Sequence, residues 1–313
     1  MNILVFGKDG QLGKAFAEQL KAGRFNQDTI RFVGRADCDL ANTEHVSDLL
    51  QSFQPQVIIN AAAYTAVDKA ESESELAFAI NAKAPEAMAI YAASQDVTLL
   101  HFSTDYVFDG TKQGSYTELD QTNPLGVYGK SKEAGERAIV QAFVKGAGQY
   151  VILRTSWVYG DGANFIRTIL RLAKERTELR VIDDQFGIPT SAQWLAELGS
   201  QLVLSLATKQ FASGVYHAVP IGEINWYGLA QLAVQSAIEA GATLKASSGA
   251  ISPIPASEYP LPAPRPMNSR LDTNKLQSEL ERLDLVSKLP HWNTPWDKQV
   301  TAYVQQLLAD SKT

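Results

Sequence analysis

Tyr128 and Lys132 stand four residues apart at the start of a stretch with helical periodicity, residues 127–146. Because residues i and i+4 of a helix lie on one face, both side chains would point the same way. A free tyrosine has a pKa of about 10, and a neighbouring ammonium lowers it by favouring the phenolate. The pair therefore predicts a general acid, although this spacing also arises by chance in many helices.

The run HFSTDYVFDG, residues 101–110, leaves a predicted strand at its C-terminal end. Ligands bind at such ends in open α/β sheets, so Thr104 would lie near Tyr128 and polarise a substrate carbonyl. Asp105 could bind a sugar hydroxyl or a backbone amide. Turn capping is the alternative reading of Asp105 and Asp109.

Glycines 7, 10 and 13 follow the first predicted strand and open the first predicted helix, with Gln11 and Leu12 between the last two. Gly7 permits a tight turn, Gly10 a close approach of the backbone to a pyrophosphate, and Gly13 close packing of helix on strand. The helix N-terminus offers N–H groups to the anion. The pattern predicts a dinucleotide-binding turn, in a variant with two residues between the first pair.

The end of the second predicted strand carries Arg35, where a protein that binds NAD would carry an acidic residue. A guanidinium suits a 2′-phosphate, so NADPH is favoured and NADH stays possible. A solvated surface arginine is the alternative. Asp39 could accept a hydrogen bond from the adenine amino group and Leu40 could pack on its face, although an acidic turn residue explains Asp39 equally well.

Short apolar runs alternate with longer amphipathic stretches in the first half of the chain. The predicted strands are residues 2–6, 29–33, 57–60, 97–102 and 151–154, and the predicted helices are residues 11–22, 43–53, 72–94 and 127–146. The strands are apolar without alternation, as in a parallel sheet covered on both faces. The pattern predicts an α/β fold of the Rossmann type, with a doubly wound parallel sheet.

The regular alternation of predicted strands and helices weakens after residue 155. Further helices are predicted at 163–175, 191–207 and 227–240, short strands at Val181-Ile182 and Val215-Tyr216, and an extended loop over the proline-rich residues 252–266. We therefore predict an NADP-binding Rossmann domain over residues 1–158, to which 179–210 returns, and a smaller substrate-binding domain over 159–313.

The composition narrows the class of protein. The 313 residues are 45% hydrophobic and 20% charged, with a net charge of −6, which suits a globular chain and disfavours nucleic-acid or membrane-surface partners. One cysteine, Cys38, excludes an internal disulfide and fits the cytoplasm. No apolar run reaches the roughly 18 residues of a membrane span. The four histidines show no zinc-binding spacing, and we expect them to be structural.

Five strings carry a closer likeness. They are NAAAYTAVDKAE (60–71), STDYVFDG (103–110), RTSWVYG (154–160), DDQFGIPT (183–190) and RPMNSRLDTNKL (265–276). With the glycine turn and the Tyr and Lys pair, they resemble the dTDP-4-dehydrorhamnose reductase family of the extended short-chain dehydrogenase/reductase superfamily. The resemblance extends over residues 1–276.

The resemblance implies a catalytic triad of Thr104, Tyr128 and Lys132. In such an enzyme NADPH reduces the 4-keto group of dTDP-6-deoxy-L-lyxo-4-hexulose to give dTDP-L-rhamnose, a nucleotide sugar used for cell-surface polysaccharide. Thr104 would polarise the ketone and Tyr128 would donate the proton. Lys132 would hold the nicotinamide ribose and lower the pKa of the phenol.

The resemblance also implies the remaining contacts. Cofactor contacts would come from Asn60, Ala61, Ala62, Ala63 and Tyr64, and from Asn81 through a proton-relay water. An amide that caps a bend is the alternative reading of Asn81. Substrate contacts would come from Thr104, Asp105, Tyr106, Trp157, Asn164, Phe165 and Arg265. Trp157 would pack on the sugar, Asn164 and Phe165 would approach the nucleotide, and Arg265 would meet the diphosphate from between two prolines.

One departure from the family concerns metal. Its best-known members dimerise through magnesium held by glutamates, and the corresponding positions here hold Ala15, Gln193 and Asn293. Mg²⁺ prefers carboxylate oxygen, so we expect no metal site and either a monomer or a metal-independent dimer.

Other functions stay open. Dehydratases of the superfamily carry Thr-Asp-Glu where this chain has Tyr106 in third place, and epimerases retain tight NAD, which Arg35 disfavours. A reductase of another nucleotide-linked 4-keto sugar fits the same residues. So does an NADP-binding regulatory subunit like the β subunit of methionine adenosyltransferase.

Overall fold

The computed structural model describes residues 1–21 and 25–310. In chain order the strands are β1 (Asn2–Phe6), β2 (Thr29–Val33), β3 (Val57–Asn60), β4 (Thr98–Thr104), β5 (Gln149–Thr155), β6 (Val158–Tyr159), β7 (Leu179–Ile182), β8 (Phe186–Gly187), β9 (Thr190–Ser191), β10 (Gly214–His217), β11 (Ile224–Asn225) and β12 (Ile251–Ile254). The α-helices are α1 (Gln11–Lys21), α2 (Thr43–Phe53), α3 (Val67–Ala70), α4 (Ser74–Phe78), α5 (Ala84–Ser94), α6 (Val127–Phe143), α7 (Phe165–Glu175), α8 (Ala192–Ala207), α9 (Trp226–Glu239), α10 (Asn274–Arg282) and α11 (Trp296–Asp310). The last residue of the predicted helix 11–22 lies outside the described residues, as do residues 311–313 of the predicted second domain.

Six strands form one central sheet in the order β2-β1-β3-β4-β5-β10. Every neighbouring pair in it is parallel. The chain runs outward from β1 to β2 and then crosses back to β3, so the direction of winding reverses between β1 and β3. Such a reversal leaves a crevice at the carboxyl ends of the strands. The prediction of a Rossmann-type doubly wound sheet is confirmed.

Apolar side chains cover both faces of this sheet, which is why β3 and β4 are buried along their whole length. On one face the core joins α1 and α8, with Phe16 and Leu195 fully buried. On the other it joins α2, α5 and α6, with Leu50 and Met88 fully buried. Two covered faces make the sheet a rigid base for the loops at its edge.

A second core lies beyond β5 and joins α7, α9 and α11 with β7 and β12. Strand β12 pairs in parallel with β7 in a separate two-stranded sheet. The prediction that residues 252–266 form only a loop is therefore wrong at its start. Pro253 is tolerated because it lies on an edge strand, where no donor is required of it.

Two elements of the segment 179–210 lie in different cores. Helix α8 packs on α1 against the large sheet, whereas β7 belongs to the second core. The predicted return of this segment to the Rossmann domain stays a prediction. The exact boundary at residues 158 and 159 stays a prediction.

The predicted helix 72–94 is interrupted by a π-helical turn, Ala79–Lys83, between α4 and α5. Such turns often occur at functional sites because they redirect one side chain. Here the turn contains Asn81, which is 1% exposed. Over the described ranges no helix is both long and apolar enough to cross a bilayer.

Candidate active site

The loops that follow β1, β3, β4 and β5 meet at one edge of the sheet, because all four strands are parallel. Chemistry-bearing residues that are far apart in sequence are thereby brought together. The glycine turn follows β1, Asn60 ends β3 and Thr104 ends β4. Tyr128 lies in the first turn of α6.

The glycine turn is packed against the ends of β2 and β3. Gly7 has a φ of +93° and donates its N–H to the Val33 carbonyl at 2.9 Å. A Cβ added at Gly7 would lie 2.8 Å from the backbone of Ala61, and one at Gly13 only 2.0 Å from the Gly7 oxygen. Side chains are excluded at both positions, so the backbone is left open to an anion at the helix N-terminus.

The rest of the turn supports α1. The Gly10 N–H donates to the Gly7 oxygen at 3.0 Å. The Leu12 side chain is 9% exposed and belongs to the core, so only its backbone N–H faces the turn. Gln11 accepts a hydrogen bond from Asn164 at 3.2 Å, which ties the turn to the second core.

A groove of about 350 Å³ lies beside the turn. Its lining residues are Phe6, Gly7, Val33, Gly34, Arg35, Cys38, Asp39, Leu40, Ala62, Ala63, Tyr64, Thr65, Ala66 and Ile80. Half of them were predicted cofactor contacts. Cys38 and Ile80 carried no sequence signal, because they reach the groove only through the packing of distant segments.

A second cation, which the sequence did not indicate, lies beside Gly34 at the margin of the groove. Lys8 contacts Asp37 at 2.5 Å, and Asp37 also accepts from the Gly34 N–H at 2.8 Å. The hydrogen bond from Gly34, followed by that from Lys8, lowers the pKa of Asp37, and its carboxylate in turn raises the pKa of Lys8. Lys8 and Arg35 together suit a phosphate better than a free 2′-hydroxyl.

Asn60 and Asn81 hold the backbone after β3. The Asn60 side chain accepts from the Ala62 N–H at 3.2 Å. The Asn81 oxygen accepts from the Tyr64 N–H at 2.8 Å, and its amide donates to the Tyr64 carbonyl at 3.1 Å and to the Ser131 hydroxyl at 3.0 Å. The Asn81 amide thus clamps the loop that lines the groove, and its role in ordering a relay water stays a prediction.

Thr104 and Tyr128 lie close together, and a side-chain hydrogen bond joins them. Burial raises the pKa of Tyr128 to about 12, the charge of Asp105 adds to this, and the bond to Thr104 opposes it. The predicted lowering of this pKa by Lys132 is absent, because the amine of Lys132 is turned toward other partners. The phenol is therefore protonated at neutral pH, which is the state required of a general acid.

Asp105 and Tyr106 complete the surroundings of Thr104. The Thr104 hydroxyl donates to Asp105 at 2.9 Å and accepts from the Tyr106 N–H at 3.2 Å. Burial raises the pKa of Asp105 to about 6. The Tyr106 ring packs edge-on against the Tyr128 ring, with 5.6 Å between centroids.

Lys132 is 1% exposed and lies under this group on α6. Its Nζ donates to the Phe102 carbonyl at 2.7 Å and lies 3.2 Å from Nε2 of His101. Burial lowers the pKa of Lys132 to about 8, while Glu136 one turn further along raises it. Lys132 therefore titrates much closer to neutrality than a lysine in water.

Two acidic residues of the string NAAAYTAVDKAE have roles that the sequence analysis missed. Glu71 accepts from the Val127 N–H at 2.8 Å and so caps the helix that carries Tyr128. Asp68 accepts from both terminal nitrogens of Arg265 at 2.9 Å, and this pairing lowers the pKa of Asp68. Both carboxylates join the β3 loop to elements much later in the chain.

A second cavity, of about 320 Å³, opens between the catalytic loop and the second core. Its lining residues are Tyr106, Phe165, Thr168, Ile169, Leu172, Arg176, Leu179, Arg180, Val181, Ile182, Gln185, Trp226, Ile254, Tyr259, Leu261 and Arg265. The walls are apolar and aromatic and carry three arginines. Such a lining suits a ligand with a flat ring and negative charge.

Trp157 packs beside the second cavity, and its predicted contact with the sugar stays a prediction. Its ring stacks on Trp226, with 3.5 Å between centroids and 13° between planes. It also lies against Gly187, where an added Cβ would be 2.4 Å from it. Trp226, which packs in turn on Phe165 at 4.6 Å, is the tryptophan that lines the cavity. Trp157 stands behind it and supports it.

Asn164 forms hydrogen bonds within the protein, and its predicted approach to the nucleotide stays a prediction. Its side-chain oxygen caps α7 by accepting from the Arg167 N–H at 3.0 Å, and its amide donates to Gly160, Gly162, Gln11 and Tyr303. Asn164 therefore connects the glycine turn to the second core, and it does not line the second cavity. Phe165 and Arg265 do line it, and Arg265 is 17% exposed.

The residues present fit a dinucleotide in the first groove. The turn supports this fit, because Gly7 lines the groove and the close approach of neighbouring backbone excludes a side chain at Gly7 and at Gly13. The described residues contain no cluster of three or more His, Cys, Asp or Glu side chains able to hold a metal ion.

Sequence comparison identifies close relatives. The family described as RmlD substrate binding domain matches residues 1–307. The dTDP-4-dehydrorhamnose reductase of Escherichia coli (strain K12) is 43% identical over 297 residues, which cover 93% of this chain and 94% of that protein.

Solved structures of enzymes with the same name are also similar to this chain. A dTDP-4-dehydrorhamnose reductase from Clostridium acetobutylicum superposes with a TM-score of 0.85 at 33% identity, over 98% of this chain and 100% of that one. The enzyme of the same name from Bacillus anthracis, solved in complex with NADP, gives a TM-score of 0.82 at 30% identity, over 96% of this chain and 98% of that one.

Proposed function

The chain belongs to the dTDP-4-dehydrorhamnose reductase family and is an oxidoreductase of that family; from this premise we propose its reaction and the role of each residue. The reaction is the NADPH-dependent reduction of the 4-keto group of dTDP-6-deoxy-L-lyxo-4-hexulose to dTDP-L-rhamnose. The observation that carries the proposal is the protonated Tyr128 phenol bonded to Thr104, beside Tyr106, which lines the second cavity.

The protein's own residues bind the ketone and supply the proton. Thr104 donates a hydrogen bond to the ketone oxygen and so favours negative charge on it. Tyr128 then gives its proton to that oxygen. Lys132 does not shift the pKa of the resting phenol, and we assign its charge to the phenolate that forms when the proton leaves. A bound NADPH supplies the hydride that forms the new C–H bond at carbon 4.

The two cavities divide the binding. The first groove takes the cofactor, with the phosphate on the glycine turn and the 2′-phosphate between Lys8 and Arg35. The second takes the nucleotide part of the sugar, with its base against Trp226 and its diphosphate near Arg265. Because Asp68 already holds the guanidinium of Arg265, little side-chain entropy is lost on binding.

The testing experiment is NADPH oxidation by the pure protein with this keto sugar, for wild type and Tyr128→Phe. We expect the variant to lose about 10²- to 10⁴-fold in kcat, the range for a general acid, while NADPH binding is unchanged. Tyr150→Phe, which removes a hydroxyl outside the two cavities, is the matched control. Wild-type protein that binds NADPH and turns over no keto sugar would favour the regulatory reading.

The cytoplasm is the compartment that we propose for this reaction. Cys38 is the one cysteine of the chain and is buried as a free thiol, which suits a reducing environment.

A further inference from the structure

His101 is an imidazole that the proposed mechanism does not use. It lies in the middle of β4, is 0% exposed, and is paired in register with Asn60 on β3. A polar ring in a central strand must find partners for both nitrogens, since an unpaired buried polar atom is costly. Its two nearest polar neighbours are Asn60 and Lys132.

The direction of the Asn60 amide decides which ring nitrogen carries the proton. The Asn60 oxygen accepts from the Ala62 N–H, so its NH₂ group faces Nδ1 of His101 at 3.0 Å. An NH₂ group only donates, and Nδ1 must therefore accept. Burial and the neighbouring Lys132 hold the pKa of His101 well below its usual range. The ring is neutral, with its single proton on Nε2.

This proton points at Lys132. Nε2 lies 3.2 Å from Nζ of Lys132, and Nζ already donates to the Phe102 carbonyl at 2.7 Å. An N–H group can bond only to a lone pair, which a neutral amine has and an ammonium lacks. When Lys132 is neutral, every donor in the series Asn60, His101 and Lys132 therefore faces an acceptor. When Lys132 is charged, the Nε2–H of His101 and the ammonium of Lys132 are two donors that face each other.

We propose that His101 is a positioning residue that presents an Nε2–H donor to Lys132 and so sets the pH above which Lys132 loses its proton. The inference rests on the proposed function, in which Lys132 acts on Tyr128. Through His101, the Asn60 loop that lines the cofactor groove is linked to the charge beneath the catalytic tyrosine.

The other charged groups around Lys132 act differently. Glu136 on α6 raises the pKa of Lys132, but it is itself held by Arg154 from β5 at 2.6 Å and by Ser103 from β4 at 2.5 Å. Lys83, on the π-helical turn that packs on α6, is exposed. Asp105 faces Thr104 and Tyr128. His101 is thus the group that contacts the amine directly with a donor.

The first test reads the tautomer without substrate or cofactor. The chain has four histidines, so nitrogen-15 NMR of the labelled protein is tractable, and the signals of His101 are those absent from His101→Asn. We expect Nδ1 unprotonated and Nε2 protonated from pH 6 to 9. A ring protonated on Nδ1, or an imidazolium, would overturn the proposal even if the variants failed to fold.

The second test compares two variants that each keep one side of the ring. The asparagine amide of His101→Asn retains a partner for Asn60 but withdraws the donor from Lys132, whereas the longer His101→Gln keeps an N–H toward Lys132. In the proposed mechanism the charged amine stabilises the phenolate, so we expect the rate to fall as pH rises through the pKa of Lys132. We expect the alkaline limb of kcat in His101→Asn to move up by about half to one pH unit, and that of His101→Gln to stay close to wild type.

The outcomes separate this inference from the proposed reaction. A uniform loss of rate in His101→Asn with an unmoved limb would mean that His101 is only structural. Wild type inactive on the keto sugar would contradict the proposed reaction instead, and the NMR result would still decide the tautomer.

Discussion

The two cavities at the carboxyl edge of the sheet are built in opposite ways. The cofactor groove is made largely of backbone and small residues from the loops after β1, β2 and β3. The second cavity is made of long side chains from α7, β7, α9 and the segment after β12. One is shaped by the local chain path, the other by which distant elements pack together.

The difference explains why one cavity was more predictable than the other. A glycine turn between a strand and a helix adopts a characteristic geometry, so the spacing of Gly7 and Gly13 is enough to predict the groove. Trp226 gives no such signal, since a tryptophan at a helix start is usually core. It lines the cavity only because Trp157 stands behind it.

The largest effect is expected when the backbone of the groove is disturbed. Gly13→Ala places a Cβ 2.0 Å from the Gly7 oxygen, against backbone that cannot turn aside. We expect NADPH to bind about 10- to 100-fold more weakly by fluorescence titration. Gly249→Ala, where the nearest atom is 3.9 Å away, is the control and should bind normally. Equal binding by both variants would show that the turn does not hold the cofactor.

A smaller effect is expected from the wall of the second cavity. Trp226→Ala removes the ring proposed to stack on the base, a contact worth about 1–3 kcal/mol. Calorimetry should show dTDP binding weakened by about tenfold or more, with NADPH binding unchanged. Trp226→Phe keeps an aromatic face and should recover most of the affinity. Loss of both ligands together would mean that the cavities are not independent.

A smaller effect again is expected from the cation beside Arg35. Lys8→Ala should raise KM for NADPH by about three- to tenfold and leave KM for NADH unchanged, because an exposed ion pair contributes little. Lys14→Ala, which breaks an exposed pair with Asp161 at 2.9 Å, is matched in charge. If both variants lose NADPH equally, the effect comes from overall charge and not from a 2′-phosphate site.

Removal of magnesium is expected to leave the oligomeric state unchanged. Ala15 is a core residue at 2% exposure, and Gln193 and Asn293 are exposed and uncharged. Light scattering should therefore give the same mass with and without chelator, because magnesium prefers carboxylate ligands. A dimer that dissociates in chelator and reforms with magnesium would contradict this prediction.

Local patterns in the sequence were enough for the sheet and the catalytic pair. The predicted bounds of β1, β2 and β3 match the structure to the residue. Strands β1 and β3 are buried on both faces and are therefore apolar, whereas β2 lies at the edge of the sheet and alternates. The spacing of Tyr128 and Lys132 predicted two residues of one helix face, because that relation depends only on helical geometry.

Where the Lys132 amine points depended on packing between elements. Nothing in its spacing from Tyr128 indicates that it turns to the Phe102 carbonyl and to His101. Likewise, no local pattern indicates that Asp68 holds Arg265, 197 residues later.

The sequence by itself thus determined the class of fold, the dinucleotide turn and the identity of the acid, since each follows from residues close together in the chain. Only the tertiary structure decided the protonation of Tyr128, the partner of Lys132 and the ring that faces the second cavity. Burial and hydrogen-bond partners are properties of the space around a side chain, and segments from across the whole chain fill that space.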